Sequence, residues 1–388
     1  MKATKTLPII GMAFGSSIIL LSLAFMFLTH PTPNNGDSLD KENLYESANI
    51  NTLDTVEEKV EAQKDISKKS EEEVTPYVLK ESGWIPNWGF DLGLESLETN
   101  LEIIDTALPV LYTVDKAGNV VSRGVSEVKI QELLSFCREN NMRVIPTIGS
   151  YDFESTASAF KNDTSYQKQV DKIIEEIEKY DFDGIDLDYE MINSSYKENF
   201  LNFLQALSRE LKKRDKILSV TVFAKWEDAK YTDHQETRMV QDYSEIAKYA
   251  DEIRIMAYDY TLQSSKIPGP IAPIEWIRDV LDYAVEKIPR EKIWLGVHLY
   301  GYQWSSDRTI AFTYTTALSA IVNDPNIEYV YKEDLAETYS AFNCGDGYTC
   351  KAYFQSPEGI ATRRRLAEEY KLAGISYWRL GGELDLLK

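Results

Sequence analysis

Cysteine and histidine are scarce, with three of each in 388 residues. Three cysteines cannot build a disulfide scaffold, and no Cys/His spacing suggests a structural zinc site. The histidines are His30, His234 and His298, the first beside an apolar leader, so histidine triads and multi-histidine metal centres have little to draw on. Positive charge is also short: 42 Lys and Arg against 63 Asp and Glu leave a net charge of −21. Nucleic-acid binding draws on cationic neutralisation of phosphates, so no nucleic-acid partner is expected. Internal repeats are lacking, and no Gly-rich phosphate loop follows the first strand candidate. Apolar residues, by contrast, make up 43% of the chain, enough for a large core.

One long apolar run stands at the start. Leu7 to Leu28 contains no charged residue, and its 22 residues would span about 33 Å as a helix, the thickness of a bilayer's hydrocarbon core. Lys2 and Lys5 precede it and an acidic stretch follows, so the N-terminus is expected in the cytoplasm. A retained anchor over 1–30 is favoured over a cleaved signal peptide, because the run is long and neither an A-x-A site nor a lipobox cysteine follows. Either way, the remainder is expected outside the cytoplasm. Residues 31–76 are polar, acidic and poor in aromatics, and read as a disordered tether with a short helix possible around VEEKVEAQKDI.

From 77 to 388 the pattern is α/β. Strand candidates are GWIPNWG (83–89), ALPVLYTV (107–114), RVIPTIG (143–149), GIDLDYE (184–190), ILSVTVFAK (217–225), EIRIMAYDY (252–260), IWLGVHLYG (293–301) and GISYWRL (374–380). Amphipathic stretches such as VSEVKIQELLSFCRENN and SYKENFLNFLQALSRELKKR lie between them. Eight strands alternating with helices predict a (β/α)8 TIM barrel, with an open doubly wound sheet as the alternative. The alternation breaks at about 305–356, which reads as a small α+β insertion between strands seven and eight. In an exported domain, Cys344 and Cys350, either side of a Gly-Asp-Gly turn, are expected to pair, while Cys137 sits in an apolar helix stripe as a buried free thiol.

The segment Asp183-Gly-Ile-Asp-Leu-Asp-Tyr-Glu190 carries the chemistry. Side chains alternate along a strand, so Asp186, Asp188 and Glu190 face one way and Ile185, Leu187 and Tyr189 the other. In a barrel the acidic set points inward and Glu190 stands at the C-terminal mouth, where active sites of this fold are built. Carboxylates this close repel, so at least one should hold its proton near neutrality, as glycosidic cleavage requires. A solvated acidic face is disfavoured by the interleaved apolar residues. An EF-hand fails on the position of Gly184, while a carboxylate metal site on the strand ends stays open.

Asp183 to Glu190 matches the DxxDxDxE signature of glycoside hydrolase family 18, the chitinase-like hydrolases. Met256-Ala-Tyr258-Asp259 resembles the family's M-x-Y-D, and Trp378 its strand-eight tryptophan. The stretch GPIAPIEWIRDVLDYAVEKIPREKIWLGVHLYGYQW is similar to a bacterial branch with spore-cortex-lytic N-acetylglucosaminidases. The resemblance implies a retaining hydrolase of N-acetylglucosamine polymers, without cofactor or metal. Glu190 would be the acid/base, Asp188 would orient the substrate's acetamido group with Asp186 as its proton-sharing partner, and Tyr258 would bind the acetamido carbonyl. Trp378 would floor the sugar, with Trp88 and Asp183 as further substrate-binding candidates. Asp259 either contacts substrate or caps the following helix. Two departures stand out: Thr147-Ile-Gly-Ser150 replaces S-x-G-G, and His298 stands where that branch usually has proline. The alternatives are an inactive lectin-like barrel and an endoglycosidase of N-glycan cores.

Overall fold

The computed structural model describes residues 77–228, 231, 233–324, 326–344 and 347–388. The apolar run at 7–28 and the acidic tether lie outside the described residues. Among the described residues no helix is long and apolar enough to cross a membrane.

Eight strands form the ring: β1 (Lys80–Ile85), β2 (Thr106–Val114), β3 (Thr147–Ser150), β4 (Gly184–Tyr189), β5 (Ile217–Phe223), β6 (Glu252–Met256), β7 (Ile293–His298) and β8 (Gly374–Trp378). Each pairs in parallel with the next, and β8 returns to β1 through Lys80↔Gly374. This closure selects the barrel over the open sheet. The third predicted strand is broken by Pro146, which has no N–H to give the ladder; Arg143–Val144 pairs separately with β2.

The helices between strands form for local reasons. Asp163–Tyr180 starts at Asn162, whose side chain accepts from the Ser165 N–H, and buries Val170, Ile173, Ile174 and Ile177 at helical spacing. Lys197–Lys212 buries Phe200, Phe203, Leu204, Leu207 and Leu211 in the same way. Their apolar stripes cover the outward faces of the strands, each fully buried large side chain contributing about 1.5–3 kcal/mol. Cys137 is buried on Glu127–Glu139 as a free thiol, pushed up to about 12 by burial.

Between β7 and β8 a second, antiparallel sheet runs in the order Thr309–Thr313, Tyr300–Trp304, Thr349–Phe354, Glu337–Asn343, Tyr329–Lys332, with the helix Tyr314–Asn323. The α+β insertion therefore begins at Tyr300, not near 305. The predicted seventh strand 293–301 is two strands in two sheets, separated at Leu299, whose N–H bonds the Trp378 carbonyl instead. Cys344 and Cys350 form a disulfide across the hairpin, with Cα atoms 5.7 Å apart.

Candidate active site

On β4 the alternation holds. Ile185, Leu187 and Tyr189 belong to the main core, where the Tyr189 ring stacks 6.2 Å from Phe203 and its hydroxyl donates to Gln169 at 2.8 Å. Asp186 and Asp188 face the barrel interior. Register decides what Asp186 meets there, for Thr147 on β3 and Ser219 on β5 are its direct neighbours. Its carboxylate accepts from Thr147 (2.9 Å), Ser219 (2.7 Å), Thr221 (3.0 Å) and the indole N–H of Trp84 on β1 (3.2 Å). A fully buried carboxylate is thus satisfied by four donors on three strands.

Asp188, one step up, is less well provided. Its Oδ2 accepts from the Tyr151 hydroxyl at 3.3 Å, while its Oδ1 is buried without a hydrogen-bond partner. Burial, then the charges of Glu190 and Asp186, push its carboxyl well above the ordinary range, which favours the protonated form. The charge of Asp186 below adds to this rise, and the Asp186 carboxylate is itself held by the Thr147, Ser219 and Thr221 hydroxyls.

Glu190 follows β4 and is half-buried at the mouth. Its backbone is pinned on both sides: its N–H bonds the Ser150 carbonyl at 2.8 Å, and its carbonyl accepts from Thr237 at 2.8 Å. Burial, then the charge of Asp259, push its carboxyl up to about 7. That value suits a group that must both give and take a proton near neutrality.

Tyr258 and Asp259 lie beyond the end of β6, in the loop rather than on the strand. Tyr258 is half-buried, and its phenol is pushed well above the usual range by burial and by Asp188, Asp259 and Glu190, so it remains a proton donor. Asp259 has a left-handed backbone, φ 60°, which Asp tolerates better than most residues. It caps no helix, since the next one begins only at Ile274. Instead it accepts from the hydroxyls of Tyr300 and Tyr302, the latter at 2.8 Å, both on the first strand of the insertion.

Trp378, at the end of β8, meets Trp84 edge-on at 6.1 Å and Trp88 at 6.4 Å. Trp88 is not on a strand; it occupies a short 3-10 turn, Asn87–Gly89, and is 53% exposed beside Trp378, open to a ligand. Asp183 is placed elsewhere. It precedes β4 at the opposite end from Glu190 and accepts the Val144 N–H at 2.7 Å, so it braces neighbouring strands rather than reaching the mouth. Tyr112, another aromatic on a strand candidate, bonds Glu176 on a covering helix.

Tyr151 escaped the sequence reading. Its ring folds back over Gly149, where a Cβ would overlap it, which explains a glycine at this position of β3. Only its place one residue past β3 could have pointed to it. The hydroxyl cradle of Asp186 had a signal, the inward parity of Thr147, Ser219 and Thr221. Among the described residues no three of His, Cys, Asp and Glu are grouped to hold a metal ion. A cavity of about 420 Å³ in the region following β5 is lined by groups already engaged, such as Arg238 with Asp233 and Asp242 with Lys197.

The model of glycosyl hydrolases family 18 matches residues 111–383, from β2 past β8. An uncharacterized glycosylase of Bacillus subtilis, YvbX, is 27% identical over 61% of this chain and 68% of its own length. The cortical fragment-lytic enzyme of Bacillus subtilis is 26% identical over 57% of this chain, but this match spans only 51% of that enzyme. A crystal structure of a chitinase from Chromobacterium violaceum superposes with a TM-score of 0.70 at 22% identity, covering 79% of this chain and 95% of that one. With a family match running from within β2 past the Trp378 end of β8 and the acidic strand intact within it, the chain belongs to glycosyl hydrolases family 18 and is a glycosidase.

Proposed function

We propose that the protein is a retaining hydrolase of β-1,4-linked N-acetylglucosamine polymers, acting by substrate-assisted catalysis. The observation that carries this is Glu190 at the barrel mouth, its carboxyl raised to about 7, directly above an inward-facing Asp188 whose carboxyl is raised by burial and by the charge of Glu190. A protonated Asp188 is a poor nucleophile, and the nucleophile then has to come from the sugar itself. Glu190 gives its proton to the glycosidic oxygen as the C1–O bond breaks. The 2-acetamido carbonyl oxygen forms a bond to C1, giving an oxazolinium ion. Asp188 Oδ1, buried and unpartnered, is the acceptor for the acetamido N–H, and Tyr258 donates to its carbonyl. Water then attacks C1 and loses a proton to Glu190, while the C1–carbonyl bond breaks. Trp378 supplies the apolar face beneath the ring.

Peptidoglycan is the preferred substrate and chitin the second, in keeping with the cortical and chitinase relatives. The domain acts outside the cytoplasm, tethered by the 7–28 segment; the Cys344–Cys350 disulfide supports an oxidising compartment. Carbonate extraction of membranes, with detection of the full chain in pellet or supernatant, tests the tether. The test of activity is mass spectrometry of products from peptidoglycan and from chito-oligosaccharides, with wild type and Glu190→Gln. Fragments ending in N-acetylglucosamine from wild type alone support the reading. Binding of either polymer without cleavage would replace it with a lectin-like role.

A further inference from the structure

Acidic partners are abundant in a chain of net charge −21, and arginines across the barrel find them. Arg143 bonds Glu252, Arg214 bonds Glu178, Arg278 bonds Glu369 and Arg364 bonds Glu81. Two arginines at the mouth do not. Arg123, in the loop after β2, is clasped by Asn87: its Nε donates to Asn87 Oδ1 at 3.0 Å, and Asn87 Nδ2 donates to its carbonyl at 3.2 Å. Its guanidinium lies 5.5 Å from the centre of the Tyr151 ring, whose hydroxyl reaches Asp188. The cation therefore stands one aromatic ring away from the reacting carboxyls. Among the described residues its two terminal nitrogens have no acceptor.

Arg379 stands on the other side of the same turn. It follows Trp378, its Nη1 donates to the Gly381 carbonyl at 3.2 Å, and it packs against Gly89. The acid whose charge acts on it, Glu383, spends its oxygens on Ser96, Asn100 and the N–H groups of Gly381 and Gly382, forming no ion pair with Arg379. Trp88, exposed and in ring contact with Trp378, sits between Asn87 and Gly89. Both residues that adjoin Trp88, Asn87 and Gly89, thus have beside them a held guanidinium without an acidic partner.

We propose that Arg123 and Arg379 form a carboxylate-reading rim beside the Trp88–Trp378 platform, selecting glycans whose sugars carry an acidic substituent, such as the lactyl ether of muramic acid, over uncharged chitin-type chains. The placement of the scissile sugar on Trp378 is taken from the proposed mechanism. Guanidinium and carboxylate match as planar, two-pronged partners, and a preset fork loses little freedom on binding. Neutral N-acetylglucosamine chains offer such a fork no counter-charge.

The test uses the full chain and three probes: an oligosaccharide with free muramyl carboxyls, the same compound with those carboxyls converted to methyl amides, and a chito-oligosaccharide. Wild type should favour the carboxylate over the amide form in kcat/KM by about tenfold or more, the size expected for one charge-assisted contact. Arg123→Gln and Arg379→Gln should each bring that ratio toward one, and Arg123→Lys should keep part of it. Affinities measured by calorimetry in a Glu190→Gln background give the same ratio without turnover. Carboxylate-selective binding by a wild type that cleaves nothing would leave the rim standing and remove the hydrolase. Cleavage with equal preference for the carboxylate and amide forms, or an unchanged ratio in both glutamine variants, would overturn the rim and spare the hydrolase.

Discussion

The indole N–H of Trp84 reaches across the barrel interior from β1 to Asp186 on β4, at 3.2 Å. These strands are not neighbours in the ring, so the bond spans the centre of the barrel and ties the acidic strand to the aromatic floor, where Trp84 also meets Trp378 edge-on. Trp84→Phe keeps an aromatic ring but removes this donor and part of the buried ring volume. It should cost about 2–4 kcal/mol of stability, for the lost hydrogen bond to a charged group and the space left by the smaller ring, read as a shift in the urea midpoint.

Asp186→Asn should be more damaging to activity than to folding. It removes the negative charge beneath Asp188, so the Asp188 pKa falls and this carboxyl ionises at lower pH. An ionised Asp188 repels a negatively charged Glu190 more strongly. We expect kcat to fall by about a hundredfold, on the scale of losing well-tuned acid–base chemistry, with KM changed less; steady-state kinetics across pH 4–8 checks this.

The acid form of Glu190 is the one that protonates the leaving group, so kcat/KM should decline as pH rises through about 7. Asp259 contributes negative charge that raises this value. Asp259→Asn should therefore move the alkaline limb to lower pH, by an amount on the order of one unit. Tyr300→Phe acts in the same direction: without that hydroxyl Asp259 holds its own proton more tightly, and less charge faces Glu190. A limb that stays put in Asp259→Asn would refute the arrangement.

The same shift has a stability consequence. A carboxyl raised from 4.5 to about 7 on folding favours the folded state at low pH, and this contribution is lost as pH rises through the window between those values. Glu190→Gln does not titrate. Its stability relative to wild type should rise between pH 4 and pH 8, by something on the order of 2 kcal/mol after allowing for partial exposure. Denaturant midpoints at the two pH values measure it.

Glu337 joins the insertion to the barrel. It is fully buried and accepts from the N–H groups of Ile271 (2.9 Å) and Ala272, with Arg363 at 3.5 Å and His298 at 3.8 Å. Burial holds His298 well below the usual imidazole range, so it is neutral and leaves the Arg363–Glu337 pair as the charged element. Glu337→Ala strands a buried guanidinium and should cost about 3–5 kcal/mol, seen as a fall in Tm. Glu337→Gln, which keeps part of the hydrogen bonding, should cost less.

Much of this protein is written in local pattern. The alternation of Asp186, Asp188 and Glu190 with Ile185, Leu187 and Tyr189 required one acidic and one apolar face, because side chains on a strand have period two. Strand and helix alternation led to the barrel, and a six-residue spacing led to the Cys344–Cys350 pair. Tertiary structure alone decided the rest. Asp259 meets Tyr300 and Tyr302 from more than 40 positions away, Tyr151 meets Asp188 from 37, and Arg123 meets Asn87 from 36. Trp88, read as a strand residue, turned out to sit on a turn, and Asp183 to brace strands at the far end of β4. Ring closure and the second sheet bring such loops together, and no periodicity within a segment encodes which loop another will meet.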